Sequence, residues 1–321
     1  MSYHFGSTFI PPWWLRNPHG QTLWQNVLRR CPLPATRAER LELPDGDFVD
    51  LHWTLRDSGP IVVVLHGLQG SLRSIYARGL LRALDEHGWR AVFMHFRGCS
   101  GAPNRLPRFY HAGDTGDLNV LIDTLRAREP GTPLAAVGFS LGGNVLLKWL
   151  GEQGERAPLA CAAAVSVPFD LSDAAARFER GFSRFYQWHL LRCLRRSIRE
   201  KFNRGTASLF GDLARLRTMR EYDDKITAPL HGFAGADDYY AKSSSRQYLR
   251  HIRTPTLIVH ALDDPFMTER AVPRPNELSD SITFELSRHG GHVGFVTGGY
   301  PWRPQYWLEQ RVPDYLASML G

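Results

Sequence analysis

Leu134-Ala-Ala-Val-Gly138-Phe139-Ser140-Leu141-Gly142-Gly143-Asn144 is the stretch that decides the fold of this 321-residue chain. Its apolar start predicts a buried strand over Leu134–Gly138, and a helix is predicted through Asn144–Leu150. A serine set between two glycines at such a junction sits on a sharp elbow, where only Gly lets neighbouring segments pack closely. The strained backbone presents the hydroxyl, and the helix N-terminus behind it offers free N–H groups to an oxyanion. Gly-x-Ser-x-Gly also occurs in simple turns; the strand before it and the helix after it make Ser140 a candidate nucleophile.

Outward from the elbow, strands and helices alternate. Ile61–Leu65 is a continuous apolar run, as expected of a strand buried on both faces. Arg90–Phe96, Ala160–Val167, Thr256–His260 and Ile282–Leu286 read as further strands. Helices are expected over Tyr76–His87, Asp117–Arg128 and Trp307–Met319. Arg40–Leu43 and Phe48–Trp53 alternate around Pro44-Asp45-Gly46-Asp47, which predicts a hairpin. The fold class is therefore α/β, a mostly parallel sheet covered by helices on both faces. Residues 1–37 form an N-terminal segment, 38–168 and 230–321 the core, and 169–229 an Arg- and aromatic-rich helical insertion.

A serine nucleophile needs a base, and the base needs an orienting carboxylate, in the chain order Ser, acid, His. Asp263-Asp264-Pro265 follows the strand ending at His260. His289-Gly290-Gly291-His292-Val293-Gly294 follows the strand ending at Leu286. Both lie at strand C-terminal ends, where open α/β sheets bind ligands. Gly291 and Gly294 give His292 a tight loop that presents an imidazole, so it is better placed than His289. Zinc bound by that pair is disfavoured, because neither HExxH nor a third ligand stands nearby. His66-Gly67-Leu68-Gln69-Gly70 follows Ile61–Leu65 directly; its turn aims the Leu68 backbone N–H at a developing oxyanion, with the Leu141 N–H as second donor. Gly67-x-x-Gly70 lacks both P-loop length and GxGxxG spacing, so no nucleotide or other cofactor is expected.

Together these motifs resemble the α/β-hydrolase superfamily, and in particular its YheT-like esterase branch, the AB hydrolase 4 family. The resemblance spans nearly the whole chain. It rests on Phe9-Ile-Pro-Pro, His19-Gly-Gln-Thr22, the His66–Ser71 loop, Phe96-Arg-Gly-Cys99-Ser-Gly, Tyr110-His-Ala-Gly113, the Ser140 elbow, His260-Ala-Leu-Asp-Asp-Pro-Phe-Met267 and Gly290-Gly-His-Val-Gly-Phe295. It implies an α/β-hydrolase fold in which 169–229 is a cap. It also implies Ser140 as nucleophile, Asp264 as acid and His292 as base, acting on a small-molecule acyl ester, with a lean towards lipid-like or medium-chain substrates. Gln69 departs from the pattern, since relatives often carry Thr there. Thioester, amide and C–C hydrolysis share the same triad, and a non-catalytic ligand-binding scaffold shares the fold.

Composition narrows the remaining classes. At 43% hydrophobic residues the chain is an ordinary globular one, not disordered or fibrous. Cys31, Cys99, Cys161 and Cys193 show no CxxC or zinc spacing, which fits a reducing compartment. Neither a signal peptide nor a run near the roughly 20 apolar residues of a membrane span is present, so a cytoplasmic protein is expected. Net charge is +7, and between Leu171 and Lys225 13 Lys/Arg stand against 7 Asp/Glu, nearly the whole excess. So local a surplus argues against nucleic acid as a partner. Arg192, Arg195, Arg196 and Arg199 fall on one helical face beside an apolar face of Leu191, Leu194 and Ile198, a pattern shared by a helix that rests peripherally on an anionic membrane surface and by a solvated face that salt-bridges within the insertion. Oligomeric state leaves no signal in the sequence.

Overall fold

Ile61, Val63 and Leu65 pack into one hydrophobic core, while Val62 and Val64 pack into a second. The same alternation divides Leu134 and Ala136 from Ala135, Val137 and Phe139. Side chains of a strand alternate between faces, so a run that is apolar at every position needs a core on each side of its sheet. The computed structural model describes residues 3–4, 6–202 and 212–320. Residues 203–211, part of the expected insertion, lie outside the described residues.

The strands are β1 (Tyr3–His4), β2 (Thr36–Glu42), β3 (Phe48–Thr54), β4 (Ile61–Leu65), β5 (Arg90–Met94), β6 (Leu134–Phe139), β7 (Cys161–Val165), β8 (Thr256–Ala261) and β9 (Ile282–Ser287). They form one nine-stranded sheet in the order β1-β9-β8-β7-β6-β4-β5-β3-β2. All pairings are parallel except β2 with β3 and β3 with β5. The hairpin turns at Gly46, whose φ of +83° suits a residue without a side chain. A small second sheet pairs β10 (Val296–Tyr300) with β11 (Arg303–Tyr306).

Two strands end earlier than their sequence suggests, for local reasons. β5 stops at Met94 because the Phe96 N–H is taken by the imidazole of His66 rather than by a ladder carbonyl. β7 stops at Val165 because Ser166 turns left-handed, at φ +52°.

Among the described residues the α-helices are α1 (Pro18–Leu28), α2 (Ile75–Glu86), α3 (Gly116–Arg128), α4 (Leu141–Gln153), α5 (Leu171–Phe178), α6 (Ser183–Lys201), α7 (Met219–Tyr222), α8 (Ala236–Ser243) and α9 (Leu308–Leu320), with a single helical turn at Ala228–Leu230. Leu118 and Leu121 of α3 and Val145 and Leu146 of α4 fill the first core; Leu80 and Leu84 of α2 and Val312 and Leu316 of α9 fill the second. Between β7 and β8 the chain runs through α5 to α8, including a π turn at Asp223–Thr227, and then through a 3-10 stretch, Ser245–His251. No helix among the described residues is long and apolar enough to cross a membrane.

The arginine stripe on α6 is not uniform. Leu191, Leu194 and Ile198 are buried as expected, and Arg192, Arg196 and Arg199 are exposed. Arg195, however, is half-buried and donates to the Leu216 carbonyl, and Arg196 pairs with Glu200 at 2.6 Å. The expected four-residue face therefore reduces to Arg192 and Arg199 without an ion pair among the described residues.

Candidate active site

Ser140 joins β6 to α4 with φ 50° and ψ −119°, a conformation rare for any residue with a Cβ. Its N–H donates to the Val165 carbonyl at 2.8 Å, and its carbonyl accepts the Asn144 N–H that begins the helix. A Cβ on Gly138 would lie 2.5 Å from the Gly142 carbonyl oxygen, and one on Gly142 would lie 2.5 Å from that of His66. Each glycine of the motif thus answers to a specific close approach. Asn144, fully buried, ties the elbow to its surroundings: its amide donates to the carbonyls of Ala112 and Ser243 and accepts from the Ser245 N–H.

The imidazole of His292 bridges to the serine from the far side of the sheet order. Its Nε2 lies 3.0 Å from Ser140 Oγ, and its Nδ1 lies 2.8 Å from Asp264 Oδ2. Asp264 is 3% exposed, and its second oxygen accepts the Phe266 N–H at 2.8 Å. The structure thus brings Ser140, His292 and Asp264 into one hydrogen-bonded line. Asp263 points elsewhere, accepting the Gly291 N–H at 2.9 Å and lying 3.3 Å from His289 Nδ1. Burial pushes the Asp263 carboxyl above its usual range, and the Gly291 and His289 bonds pull it partly back.

Gly67, Leu68 and Gln69 run past Ser140 in a braced loop. The Gly67 N–H donates to the Tyr76 hydroxyl at 2.9 Å and the Gln69 N–H to the Tyr110 hydroxyl at 2.8 Å. The intervening Leu68 N–H has no protein acceptor among the described residues, and neither does the Leu141 N–H at the start of α4. His66 fastens the loop from below. Its Nε2 accepts the Phe96 N–H at 3.1 Å, so its proton sits on Nδ1, 2.7 Å from the Gly67 carbonyl. Burial holds this imidazole neutral, with its pKa pulled down to about 3. Gln69, at φ 56°, accepts from Ser197 Oγ of α6 at 2.8 Å, so the residue that departs from the family pattern links this loop to the helical insertion.

His19-Gly-Gln-Thr22, which carries no role in the sequence alone, gains one in the fold. α1 lies along the His292 loop. Gln21 donates to the Leu15 and Val296 carbonyls and accepts the Val296 N–H, while Gln25 donates to the carbonyls of Val293 and Gly294. Thr22 Oγ1 accepts the His292 N–H at 2.9 Å, and Ser166 Oγ accepts that of Val293 at 3.0 Å. A Cβ on Gly294 would come 2.4 Å from the Gln21 carbonyl oxygen, so this helix can sit there only against glycine. The Phe266 ring is stacked on the His292 imidazole. A cavity of about 550 Å³ opens onto Ser140 and His292, walled by Phe178, Leu194, Ile226 and Leu230 among other apolar residues.

Residues 60–299 match the family model described as the alpha/beta hydrolase fold. The chain is 46% identical over 319 residues to "Putative esterase YheT" of Escherichia coli (strain K12), covering 97% of this chain and 94% of that one. It is 28% identical over 325 residues to "Phospholipase ABHD3" of Mus musculus, covering 98% of this chain and 79% of that protein. Among solved structures, the Pyrococcus furiosus esterase Pf2001 superposes with a TM-score of 0.62 at 16% identity, over 98% of this chain and all of that one, a likeness of fold. With the elbow, the order of its strands and this similarity in hand, the chain belongs to the α/β-hydrolase family, in its YheT-like esterase branch.

Proposed function

We propose that this protein is a carboxylic ester hydrolase working through Ser140, His292 and Asp264. The observation that carries the reading is the unbroken line from Ser140 Oγ through the His292 ring to Asp264, at 3.0 and 2.8 Å. In this mechanism His292 Nε2 takes the Ser140 proton as Oγ attacks the acyl carbonyl carbon, while Asp264 holds the imidazole and stabilises its charged form. The Leu68 and Leu141 N–H groups receive the oxyanion. Collapse expels the alcohol, which takes its proton from His292, and leaves an acyl-enzyme. Water, deprotonated by His292, then releases the acid.

The apolar wall of the cavity supports an acyl chain of lipid-like or medium length, and a relative named a phospholipase agrees with lipid esters as a class. Residues 169–229 serve in this reading as the cap, since Phe178, Tyr186, Leu194 and Ile226 from that stretch line the cavity. The cap's outer face, with Phe182, Phe185 and Trp188 exposed beside Arg192 and Arg199, rests peripherally on anionic membrane.

Labelling with a fluorophosphonate tests the chemistry. Wild-type protein should label and hydrolyse p-nitrophenyl butyrate; Ser140→Ala should do neither while keeping its fold by circular dichroism. Label retained by the variant would move the nucleophile elsewhere.

A further inference from the structure

α6 is 19 residues long, about 28 Å of helix, and it is fastened to the core at both ends and between them. At its start the buried Ser183 Oγ donates to the Pro265 carbonyl at 2.6 Å, in the turn that carries Asp264. One turn further the Tyr186 ring packs against Phe266, the ring stacked on His292. At its end Lys201 Nζ donates to the Arg108 carbonyl at 2.6 Å and to Asn104. In between, the half-buried Ser197 donates from Oγ to Gln69 Oε1 at 2.8 Å. A single helix of the insertion therefore touches the Asp264 turn and also the loop that offers the Leu68 N–H.

The contact at Gln69 falls on a strained residue. Its φ of 56° lies in the left-handed region that a side chain disfavours, and such a conformation persists only where its surroundings impose it. Two bonds do so here: the Gln69 N–H donates to the Tyr110 hydroxyl at 2.8 Å, and the side-chain oxygen accepts from Ser197. Ser197 Oγ has one proton to give. Gln69 Oε1 lies nearer to it than the Cys193 carbonyl, 3.2 Å away, the acceptor a serine finds within its own helix.

The backbone at Gln69 decides where the Leu68 N–H points. Gly67–Gly70 is a β-turn closed by the Gly70 N–H on the Gly67 carbonyl at 2.9 Å, and a left-handed third residue is what turns the Gln69–Gly70 peptide to make that bond. The Gly67 carbonyl and the Leu68 N–H belong to one planar peptide. Holding the oxygen, with His66 Nδ1 donating to it as well at 2.7 Å, therefore holds the N–H on the other side. An oxyanion donor is effective only when aimed before charge develops, since turning it during the reaction adds to the barrier.

We infer that Ser197 and Gln69 are positioning residues for the oxyanion site: the α6 hydroxyl holds the Gln69 side chain, and the left-handed turn so fixed aims the Leu68 N–H. The insertion thereby completes the site where charge develops, besides walling the cavity. This rests on the ester-hydrolase reading above and adds to it two residues that touch no reacting atom.

Steady-state hydrolysis of p-nitrophenyl butyrate by the full chain tests the inference, together with a trifluoromethyl ketone of matching chain length. Ser140 Oγ adds to the carbonyl carbon of that ketone while His292 takes the hydroxyl proton, which leaves an oxyanion at the Leu68 and Leu141 N–H groups. Ser197→Ala should lower kcat by about fivefold to tenfold, near the worth of one net hydrogen bond and below the roughly 10²- to 10³-fold that follows loss of a whole oxyanion donor, with KM changed by less than about twofold. The Ki of the ketone should rise by the factor by which kcat/KM falls. Ser197→Thr keeps the hydroxyl and should restore kcat to within about twofold of wild type. Gln69→Asn tolerates the left-handed backbone but is too short to reach α6, so it should show the same loss, and the Ser197→Ala, Gln69→Asn double variant should lose no more than either single one. Lys201→Met loosens α6 at its far attachment without touching Gln69; it should lower the Tm and leave kcat unchanged. Wild-type kcat in a folded Ser197→Ala or Gln69→Asn, additive losses in the double variant, a loss carried by KM alone, or an equal loss in Lys201→Met overturns the positioning role. Absence of turnover by wild type refutes the hydrolase reading itself.

Discussion

The ring of Phe266 lies flat against the imidazole of His292, their centroids 3.9 Å apart and their planes within 11°. Asp264 fixes one nitrogen of that imidazole, yet a single hydrogen bond leaves the ring free to swing about it. The stack removes that freedom, and the same Phe266 donates its N–H to Asp264, so the imidazole and the carboxylate are held by one residue. Phe266→Ala should lower kcat by about tenfold through loss of orientation, with Phe266→Leu falling between it and wild type. Steady-state kinetics on p-nitrophenyl butyrate decide this; unchanged kcat in a folded alanine variant would leave the stack with no part in turnover.

Asp263 and Asp264 are adjacent carboxylates given different work by the turn after β8. Asp264 meets the ring that reaches Ser140, whereas Asp263 holds the backbone of Gly291 and the side chain of His289. Asp264→Asn should therefore cost on the order of 10²- to 10⁴-fold in kcat, as removal of an orienting carboxylate does elsewhere. Asp263→Asn should cost less than about tenfold in kcat and show itself mainly as lower thermal stability. The opposite ranking would overturn the choice of acid.

Asp223 gives a pH signature that can be read without turnover. Its carboxyl is raised from an ordinary 3.8 to about 6 by burial, so the folded state binds its proton more tightly than the unfolded chain does. The stability this contributes is complete below about pH 4 and is lost as pH rises towards 6. Asp223→Asn carries no such proton. Relative to the variant, wild type should thus lose on the order of 3 kcal/mol of unfolding free energy across that interval, two pKa units at about 1.4 kcal/mol each. Denaturant melts of both proteins at pH 4, 5, 6 and 7 measure the difference, and a gap that stays constant with pH would contradict the raised value.

Much of this arrangement was legible in the chain because its signals are local. A run such as Ile61–Leu65 can satisfy all five side chains only between two cores, and Gly138 and Gly142 flank Ser140 at the two closest approaches of the elbow. The hold of α1 on the His292 loop was not legible. Gln21 and Gln25 look like solvent-facing helix residues until residues 293–296, some 270 positions away, are folded against them. Phe266 was hidden for the same reason, since nothing in an aromatic beside Asp-Pro announces which ring it will cover. β1 and the β10–β11 pair escaped because two to five residues at a sheet edge carry too little periodicity to stand out.

The outer surface of residues 169–229, the proposed cap, carries large exposed side chains. On α6 and the residue before it, Phe182, Phe185 and Trp188 are 50%, 47% and 53% exposed, an aromatic ridge that water does not favour. Phe182 and Phe185 have ring centroids 5.5 Å apart, and Phe185 and Trp188 6.0 Å, so the three form one continuous strip. Phe185 also lines the cavity, so the strip reaches its wall. Aromatics inserted at a lipid interface supply the apolar part of the binding, and nearby arginines supply attraction to anionic headgroups that salt screens over about 8–10 Å. The arginines in question are Arg192 and Arg199, because Arg195 is spent on the Leu216 carbonyl and Arg196 on Glu200. Phosphatidylglycerol-containing vesicles should therefore bind the protein better than pure phosphatidylcholine, and the advantage should shrink between low and physiological salt. Arg192→Gln with Arg199→Gln should remove most of the anionic preference, whereas Arg195→Gln and Arg196→Gln should remove little of it. Phe185→Ser with Trp188→Ser should weaken binding to both vesicle types alike. Co-sedimentation distinguishes these outcomes, and equal binding of wild type to neutral and anionic vesicles would leave the arginines as a solvated face of the cap.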